Sequence, residues 1–182
     1  MLLIILQALY FFLPSYVSNA APVIFAQFKW WENLNVPIDQ NRTWRNKPIF
    51  GKNKTVRGVL CGTLAGMGIG LLQFLLKDLS FIQPLYLFNY SLTTSLLLGA
   101  LLGLGEGLGD LIKSFIKRQL ALSSGASAFP LDQLSFVGAY ILGLLIYTPS
   151  LMHTLCIFIF SLGIPMIANL IAYKIGWKKV WW

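Results

Sequence analysis

Four polar residues, spaced by three and four positions, are the first candidates for chemistry in this chain of 182 residues. Glu106, Asp110, Lys113 and Lys117 share one face of a predicted helix and follow a glycine-rich apolar run. A carboxylate with lysines one and two turns further on can hold a metal ion and bind phosphate from the same surface. The competing interpretation is a helix end at a membrane surface, where lysine side chains extend towards water and form ion pairs with nearby acids.

A second group of polar and basic residues lies in a loop directly before an apolar stretch. Asn53, Lys54, Thr55, Arg57 and Gly58 surround the predicted start of a helix, which Asn53 or Thr55 can cap. Free backbone N–H groups at a helix start, flanked by cations, form a favourable pocket for anions. The alternative is a loop that is basic only because it lies on the cytoplasmic side of a membrane.

A third candidate, Asp132, precedes another apolar stretch. Its side chain could cap the helix that follows, or it could be a second acid near the membrane surface. The single histidine, His153, lies in a predicted turn, and we assign it no catalytic role. Cys61 and Cys156 lie in apolar runs without neighbouring cysteine or histidine, so we expect neither a disulfide nor a zinc site.

Composition indicates what kind of protein positions these residues. The chain is 57% hydrophobic and only 11% charged, and its mean hydropathy is +0.70, values that exclude an ordinary soluble domain. We therefore expect an all-α integral membrane protein. The formal net charge of +8 then reflects membrane topology and anionic partners, and no arginine–aromatic pattern points to nucleic acid.

Five transmembrane helices of about 20 residues fit into the chain, together with two modest polar loops. We interpret the first as a retained span and not as a signal peptide, because no lysine or arginine precedes Lys29. Prolines predict a kink or break in the first span and a kink in the fifth. The third span continues as a polar helix to about Leu120, and a loop of small residues follows at 123–130. The predicted spans are 2–28, 55–76, 85–105, 131–147 and a fifth that ends near residue 173.

Glycine recurs at every fourth position in the second and third spans. The two series are Gly58, Gly62, Gly66 and Gly70 in the second span, and Gly99, Gly103 and Gly107 in the third. Small residues at this spacing let two helices approach closely in lipid. We therefore expect these helices to pack together and to bring the pocket at 53–58 towards Asp110. A flexible, gated helix is the alternative explanation for so much glycine.

Basic residues are distributed unevenly between the two sides that five spans would define. Thirteen of the fourteen lysines and arginines fall on one side, within 29–57, 113–118 and 174–179, and only Lys77 falls on the other. Because cytoplasmic loops carry the excess of positive charge, we predict an N-terminus outside and a C-terminus in the cytoplasm. The last lysines and three tryptophans would lie at the membrane interface. The candidate site then faces the cytoplasm from a multi-pass protein of the cell membrane.

The motifs resemble those of archaeal CDP-archaeol synthases, a family related to the phosphatidate cytidylyltransferases. Three segments carry the resemblance: Gly-Lys-Asn-Lys-Thr-x-Arg-Gly at 51–58, Gly-Asp-Leu-Ile-Lys-Ser-Phe-x-Lys-Arg at 109–118, and Leu-Asp-Gln at 131–133. The spacing of the five spans also agrees, which implies one transmembrane cytidylyltransferase domain over 1–182. Two positions depart from the family pattern. Ser135 stands where a further aspartate is usual, and Gln119 stands where a second arginine is usual.

The resemblance implies an enzyme that transfers the cytidylyl group of CTP to a lipid phosphate in the bilayer and releases pyrophosphate. The implied acceptor is an unsaturated digeranylgeranylglyceryl phosphate, and the implied cofactor is Mg²⁺ with Asp110 and Asp132 as ligands. Because the acceptor phosphate is already ionised at neutral pH, no general base is required. The implied catalytic residues are Asp110, Lys113, Lys117, Arg118 and Asp132; those for CTP are Asn53, Lys54, Thr55, Arg57 and Gly58; those for the lipid phosphate are Ser114, Lys117 and Arg118.

Two other classes of membrane protein stay open as alternatives. A membrane transporter or channel would need an ion or substrate site near the middle of the bilayer, but the polar residues within the predicted spans are few and uncharged. A headgroup transferase that consumes a CDP-lipid would resemble an Asp-x-x-Asp-Gly pattern with further acids on the following helix. That pattern does not occur in the sequence.

Overall fold

Helices make up most of the fold. A computed structural model describes residues 1–123, 126–178 and 180; two residues of the predicted small-residue loop (124 and 125), one C-terminal lysine (179) and two tryptophans (181 and 182) lie outside this description. The helices are α1 (Leu2–Phe25), α2 (Val56–Leu75), α3 (Leu92–Gln119), α4 (Phe136–Gly143) and α5 (Leu151–Lys174). Short 3₁₀ helices occupy Glu32–Leu34, Gln83–Leu85 and Leu131–Gln133. Strands β1 (Thr43–Trp44) and β2 (Lys47–Pro48) form a small antiparallel hairpin between α1 and α2.

Four of these helices, α1, α2, α3 and α5, are long and apolar enough to cross a membrane. The chain is therefore a multi-pass membrane protein of mainly helical structure. Helices α1 and α5 continue through their internal prolines without a break. Helix α4 has eight residues, which cover only about 12 Å of a hydrocarbon core roughly 30 Å thick. The expected fourth span is thus not a single full-length α-helix.

The segment that contains α4 nevertheless runs along α3 from one end to the other. At the polar end, the Lys113 ammonium donates to the carbonyl oxygen of Asp132. Further along, Gly138 lies against Gly105. Beyond α4, the ring of Tyr147 stacks on an aromatic ring in the loop that precedes α3. The 3₁₀ helix Leu131–Gln133, α4 and the turn after α4 therefore extend together along the length of α3.

Local hydrogen bonds explain where the two central helices begin. Helix α3 starts with a capping box, in which the Ser91 hydroxyl accepts from the Thr94 N–H and the Thr94 hydroxyl accepts from the Ser91 N–H. Thr55 caps α2 by accepting from the Gly58 N–H at 3.2 Å. Helix α3 then runs unbroken for 28 residues, or about 42 Å. The apolar third span and the polar helix are therefore one element, which ends at Gln119.

Helices α2 and α3 pack through their glycine series, which confirms the predicted contact. A Cβ atom on Gly66 would collide with the carbonyl oxygen of Gly99, and one on Gly103 would lie 2.9 Å from that of Gly62. Such close backbone contact is possible only without side chains. The opposite side of α2 is different, because a Cβ atom on Gly68 would meet nothing within 4 Å. The glycine seam fixes the start of α2 beside the polar half of α3.

A second seam of small residues joins α3 to α4. The two glycine series identified in the sequence did not predict this contact. A Cβ atom on Gly138 would lie 2.9 Å from the backbone nitrogen of Gly109, and Gly109 itself lies against the backbone of Ser135.

The part of the bundle away from the charged half of α3 is filled by apolar and aromatic side chains. This core contains Ala8, Phe11, Phe12, Tyr90, Leu98, Leu102, Phe136, Ala139 and Ile157.

Candidate active site

A cavity of about 530 Å³ lies at the polar end of the bundle, where the basic loop meets the C-terminal half of α3. We refer to it as the first cavity. Every expected site residue lines it except Arg57. The guanidinium of Arg57 instead donates to the carbonyl oxygen of Trp30 at 3.3 Å. The lining residues expected from sequence are Asn53, Lys54, Thr55, Gly58, Asp110, Lys113, Ser114, Lys117, Arg118 and Asp132.

Asp110 lies at the point where the two predicted motifs meet. Its Oδ2 atom is 2.5 Å from the Lys54 ammonium, and its Oδ1 atom is 3.0 Å from the Lys113 ammonium. Lys54 comes from the loop before α2, and Lys113 lies one turn further along α3. The expected approach of the two motifs is therefore observed, and each oxygen of this carboxylate faces a cation.

Asp132 forms the next layer of the same charged surface. Its Oδ1 atom is 2.6 Å from the Lys117 ammonium, and its Oδ2 atom accepts from the Ala128 N–H at 2.6 Å. The Lys117 ammonium and the Ala128 N–H therefore balance the negative charge of this carboxylate. The residue lies in a 3₁₀ helix without a side-chain cap. Its carboxylate therefore orders the preceding loop and holds Lys117, and it does not cap α4.

The remaining basic residue of α3 is almost fully enclosed. Only 8% of Arg118 is exposed, and its guanidinium donates to the carbonyl oxygen of Ser123 at 3.0 Å. Ser114, also buried, lies one turn before it and lines the same cavity. The structure thus collects four ammonium or guanidinium groups, those of Lys54, Lys113, Lys117 and Arg118, around one opening. Such a group can bind several phosphates at once.

Glu106 also lines the first cavity; the sequence placed it on the same helical face as Asp110, although it lies outside the three family motifs. It is 4% exposed, and it accepts from the Ser15 hydroxyl at 2.9 Å and from the Asn19 amide at 2.6 Å. Both donors come from α1, so this carboxylate links α1 to α3 beneath the first cavity. Polar residues at positions 15, 18 and 19 of α1, a mainly apolar helix in which Gln7 is a further polar residue, were the available sequence signal. Their spacing places them on one face.

The two departures from the family pattern occupy different parts of this site. Ser135 is 1% exposed, and its hydroxyl lies 3.5 Å from the Asn19 amide, beside the Glu106 carboxylate. An aspartate at this position would bring a second carboxylate next to Glu106. Gln119 ends α3, and its carbonyl oxygen accepts from the Lys47 ammonium at 2.5 Å. That contact involves only the backbone of Gln119, so it does not depend on the side chain at this position.

Helix α5 and the segment after it also reach the first cavity. Pro165, Asn169, Trp177 and Lys178 line it, whereas the sequence placed the C-terminal lysines and tryptophans only at the membrane interface. Burial lowers the pKa of Lys178, and repulsion from Lys113 and Lys54 lowers it further. The C-terminal segment therefore adds positive charge and an aromatic ring to the wall.

The carboxylates of the first cavity fit one kind of metal site. The described residues contain no group of three or more histidine, cysteine or carboxylate side chains that could hold a metal ion. Mg²⁺, however, is usually bound by one or two carboxylates together with substrate phosphates and water. The Lys113 ammonium contacts the Asp110 carboxylate and the backbone carbonyl oxygen of Asp132, whereas the Asp132 carboxylate contacts Lys117. Both acidic residues line the first cavity. They fit a magnesium ion shared with phosphates and not a site made by protein groups alone.

Comparison with known proteins identifies the family. A family model described as CarS-like CDP-archaeol synthase matches residues 1–182. The chain is 40% identical over 177 residues to a CDP-archaeol synthase of Thermococcus gammatolerans, covering 96% of this chain and 95% of the relative. It is 38% identical over 184 residues to one of Methanococcus maripaludis, covering 100% and 99%. A solved structure, described as an intramembrane enzyme for archaeal membrane lipids biosynthesis, matches with a TM-score of 0.69 and 26% identity, covering 93% of this chain and 94% of that one. The chain therefore belongs to the CDP-archaeol synthase family.

Proposed function

We propose that the first cavity is the place where this chain transfers the cytidylyl group of CTP to a lipid phosphate. As a member of its family, the chain is a CTP-dependent nucleotidyltransferase of membrane lipid biosynthesis that forms CDP-archaeol. The acceptor is digeranylgeranylglyceryl phosphate, and pyrophosphate is the second product. The observation that carries the assignment to this cavity is the ion pair between Lys54 and Asp110, because it joins both motifs in one charged opening.

The start of α2 supports a role in binding CTP. Lys54 precedes the helix, and Asn53, Thr55 and Gly58 line the first cavity beside it. The Gly58 N–H donates to Thr55 and the Val56 N–H donates to the Val36 carbonyl oxygen, so the attraction for anions comes from the Lys54 ammonium and the positive end of the helix dipole. We assign these four residues to the phosphates of CTP. Arg57 lies in the first turn of α2 and outside the cavity lining, so we propose that it contributes to CTP binding through long-range attraction.

Asp110 and Asp132 are the proposed ligands of Mg²⁺. When bound, the ion would neutralise charge on the phosphates and polarise the α-phosphate for attack. Lys54 and Lys113, which balance Asp110 in this structure, lie where their ammonium groups can also contact the triphosphate. A carboxylate between two lysines therefore holds those lysines in position as well as offering oxygen atoms to the metal.

The polar residues near the C-terminal end of α3 support binding of the lipid phosphate. Ser114, Lys117 and Arg118 lie on the C-terminal half of α3, and all three line the first cavity. A phosphate monoester has a second pKa of about 6, so its oxygen is already an ionised nucleophile at neutral pH. The protein then has to orient this phosphate and balance its charge, and it does not have to remove a proton.

The proposed topology has five crossings, with the N-terminus outside and the first cavity in the cytoplasm of a cell membrane protein. The segment around α4 supports the fourth crossing, because it accompanies α3 from Asp132 to the loop at the far end of α3. The distribution of lysine and arginine supports the orientation. The first cavity is lined by residues of α1, α2, α3 and α5 and by the segment before α4, which supports one domain over 1–182.

Transfer of label from CTP tests the proposed function directly. Membranes that contain the protein are incubated with Mg²⁺, digeranylgeranylglyceryl phosphate and CTP labelled in the cytosine ring. A cytidylyltransferase moves the label into the lipid fraction in proportion to pyrophosphate released. A transporter would leave the lipid unlabelled, and so would a headgroup transferase, because it consumes a CDP-lipid and does not act on CTP. Label that stays in CTP despite added lipid phosphate would refute the proposal.

A further inference from the structure

A second cavity, of about 510 Å³, lies on the other side of the loop at 50–54, which contains the start of the motif at 51–58. Phe50, Asn53 and Lys54 face the first cavity, whereas Gly51 and Lys52 face the second. The loop at 50–54 is therefore a thin wall with a charged cavity on each side. A volume of this size is within the range of ordinary ligand sites.

Arg118 connects the two cavities. It lines both of them, and it is more than nine-tenths buried. A Cβ atom on Gly51 would lie 3.6 Å from its Cδ atom, so the side chain passes directly beneath the dividing loop. One nitrogen donates to the carbonyl oxygen of Ser123, but the buried Nε atom has no hydrogen-bond partner within the described part of the chain. A buried donor of this kind is costly unless a ligand or water satisfies it.

The lining of the second cavity is positively charged. Lys47, Lys52 and Arg118 contribute three cations, and Asp39 contributes one carboxylate. The carboxylate is already occupied, since it accepts from the backbone N–H groups of Phe50, Gly51 and Asn41. Burial would raise the pKa of Asp39, but these three N–H groups together hold it below its usual range. Asp39 therefore orders the loop, and the surplus charge is left for an anion.

We propose that the second cavity binds inorganic pyrophosphate, the product that leaves when the cytidylyl group is transferred. Arg118, which we assign to the lipid phosphate in the first cavity, can also contact free pyrophosphate in the second, because its guanidinium has five N–H donors. Lys47 and Lys52 then complete a site for a compact, multiply charged anion. The inference rests on the proposed function, since only nucleotidyl transfer releases pyrophosphate. Its test is a binding measurement that requires no turnover. Absence of pyrophosphate binding would therefore not refute cytidylyl transfer, and absence of transfer would not refute pyrophosphate binding.

The experiment is calorimetric titration of the full-length protein in lipid nanodiscs. The protein is first saturated with Mg²⁺ and an α,β-methylene analogue of CTP, which occupies the first cavity and cannot react. Inorganic pyrophosphate is then added, and we expect it to bind to the saturated protein without displacing the analogue. Pyrophosphate that binds only when the analogue is absent, or that displaces it, would show that the first cavity is its sole site and would overturn the proposal.

Charge-removing variants identify which cavity is responsible. Lys52 is exposed and lines only the second cavity, so Lys52→Gln should weaken pyrophosphate binding by about three- to fivefold. Lys29→Gln is the matched control, because Lys29 is an exposed base of the same loop that lines neither cavity. Equal effects of the two variants would reduce the site to general attraction and contradict the proposal. Equally tight binding of monophosphate would contradict the assignment to pyrophosphate.

Discussion

At the level of single residues, Asp110 is the acid of the site that forms ion pairs with two lysines. Two lysines from different segments contact its two oxygens, so its negative charge determines where both cations lie. Replacing it with a neutral residue of the same shape removes that charge without creating a cavity. The substitution therefore separates an electrostatic role from a packing role.

We predict that Asp110→Asn lowers cytidylyl transfer by about a hundredfold or more, because both the proposed metal ligand and the anchor of two lysines lose their charge. Asp132→Asn should also lower it, through the metal and Lys117. The measurement is label transfer from CTP to lipid, with thermal unfolding as a check on folding. Asp78→Asn is the control, since Asp78 is an exposed acid beyond the other end of α2. Near-normal turnover of both Asp110→Asn and Asp132→Asn would show that the metal assignment is wrong.

The basic residues should divide between nucleotide and lipid. Lys54 lies at the start of α2 and Lys117 lies two turns beyond Asp110, next to Asp132. A hydrogen bond to a charged group corresponds to about tenfold to a hundredfold in affinity or rate. We predict that Lys54→Ala weakens CTP binding by such a factor, whereas Lys117→Ala leaves CTP binding nearly intact and slows transfer to lipid. Calorimetry with CTP and the lipid dependence of the rate measure the two effects. The reverse pattern would mean that the two clusters have been assigned the wrong way round.

Glu106 should contribute to stability as well as to the site. Its carboxylate receives two donors from α1, and loss of both acceptor atoms would leave a buried hydroxyl and a half-buried amide without these partners. We predict that Glu106→Ala lowers the free energy of unfolding by about 2–4 kcal/mol, from the two lost hydrogen bonds. Glu106→Gln, which keeps one carbonyl acceptor, should lower it less. Thermal unfolding in one detergent measures the difference, and equal stability of the two variants would contradict the role of these bonds.

At the level of elements, the contact between α2 and α3 determines whether the two motifs meet. Gly66 contacts the backbone of Gly99 too closely for any side chain, but Gly68, half a turn away, faces open space. We predict that Gly66→Leu forces the helices apart and abolishes both thermal stability and activity. Gly68→Leu, in the same helix and with the same added volume, should be tolerated. A stable and active Gly66→Leu protein would show that this face of α2 meets lipid.

The elements also show what the sequence could predict and what it could not. The glycine series are periodic along the chain, so the seam between α2 and α3 and the approach of Lys54 to Asp110 were accessible from spacing alone. The seam between α3 and α4 was not, because Ser135 and Gly138 form no extended repeat and their partners on α3 are set by tertiary packing. For the same reason, the polar residues of α1 could not be matched to Glu106. Apolar composition predicted a crossing at 131–147 but could not show that only eight of its residues are α-helical.

At the level of the whole molecule, the two ends of the bundle have different physical character. The polar end holds both cavities and nearly all of the charged side chains. The far end is closed by packed aromatic rings, such as Phe88 stacked on Tyr90 with centroids 4.2 Å apart. Gln7 also ties α1 to His153 of α5 and to the carbonyl oxygen of Pro84 there. A molecule that opens at one end suits an enzyme that draws CTP from one compartment, and alternating access would require this far end to open.

This asymmetry leads to a prediction about orientation in the membrane. Single cysteines are placed at Lys29, which follows α1 at the polar end, and at Ser150, which precedes α5 at the far end; both positions are exposed. Cys61 and Cys156 are replaced by alanine so that only the new thiols react. Because positively charged loops remain in the cytoplasm, an impermeant thiol reagent added to intact cells should label Ser150→Cys and not Lys29→Cys. After the membrane is opened, both should react. Labelling of Lys29→Cys but not Ser150→Cys from outside would reverse the orientation. Labelling of both positions from the same side would show that the segment around α4 does not cross the membrane.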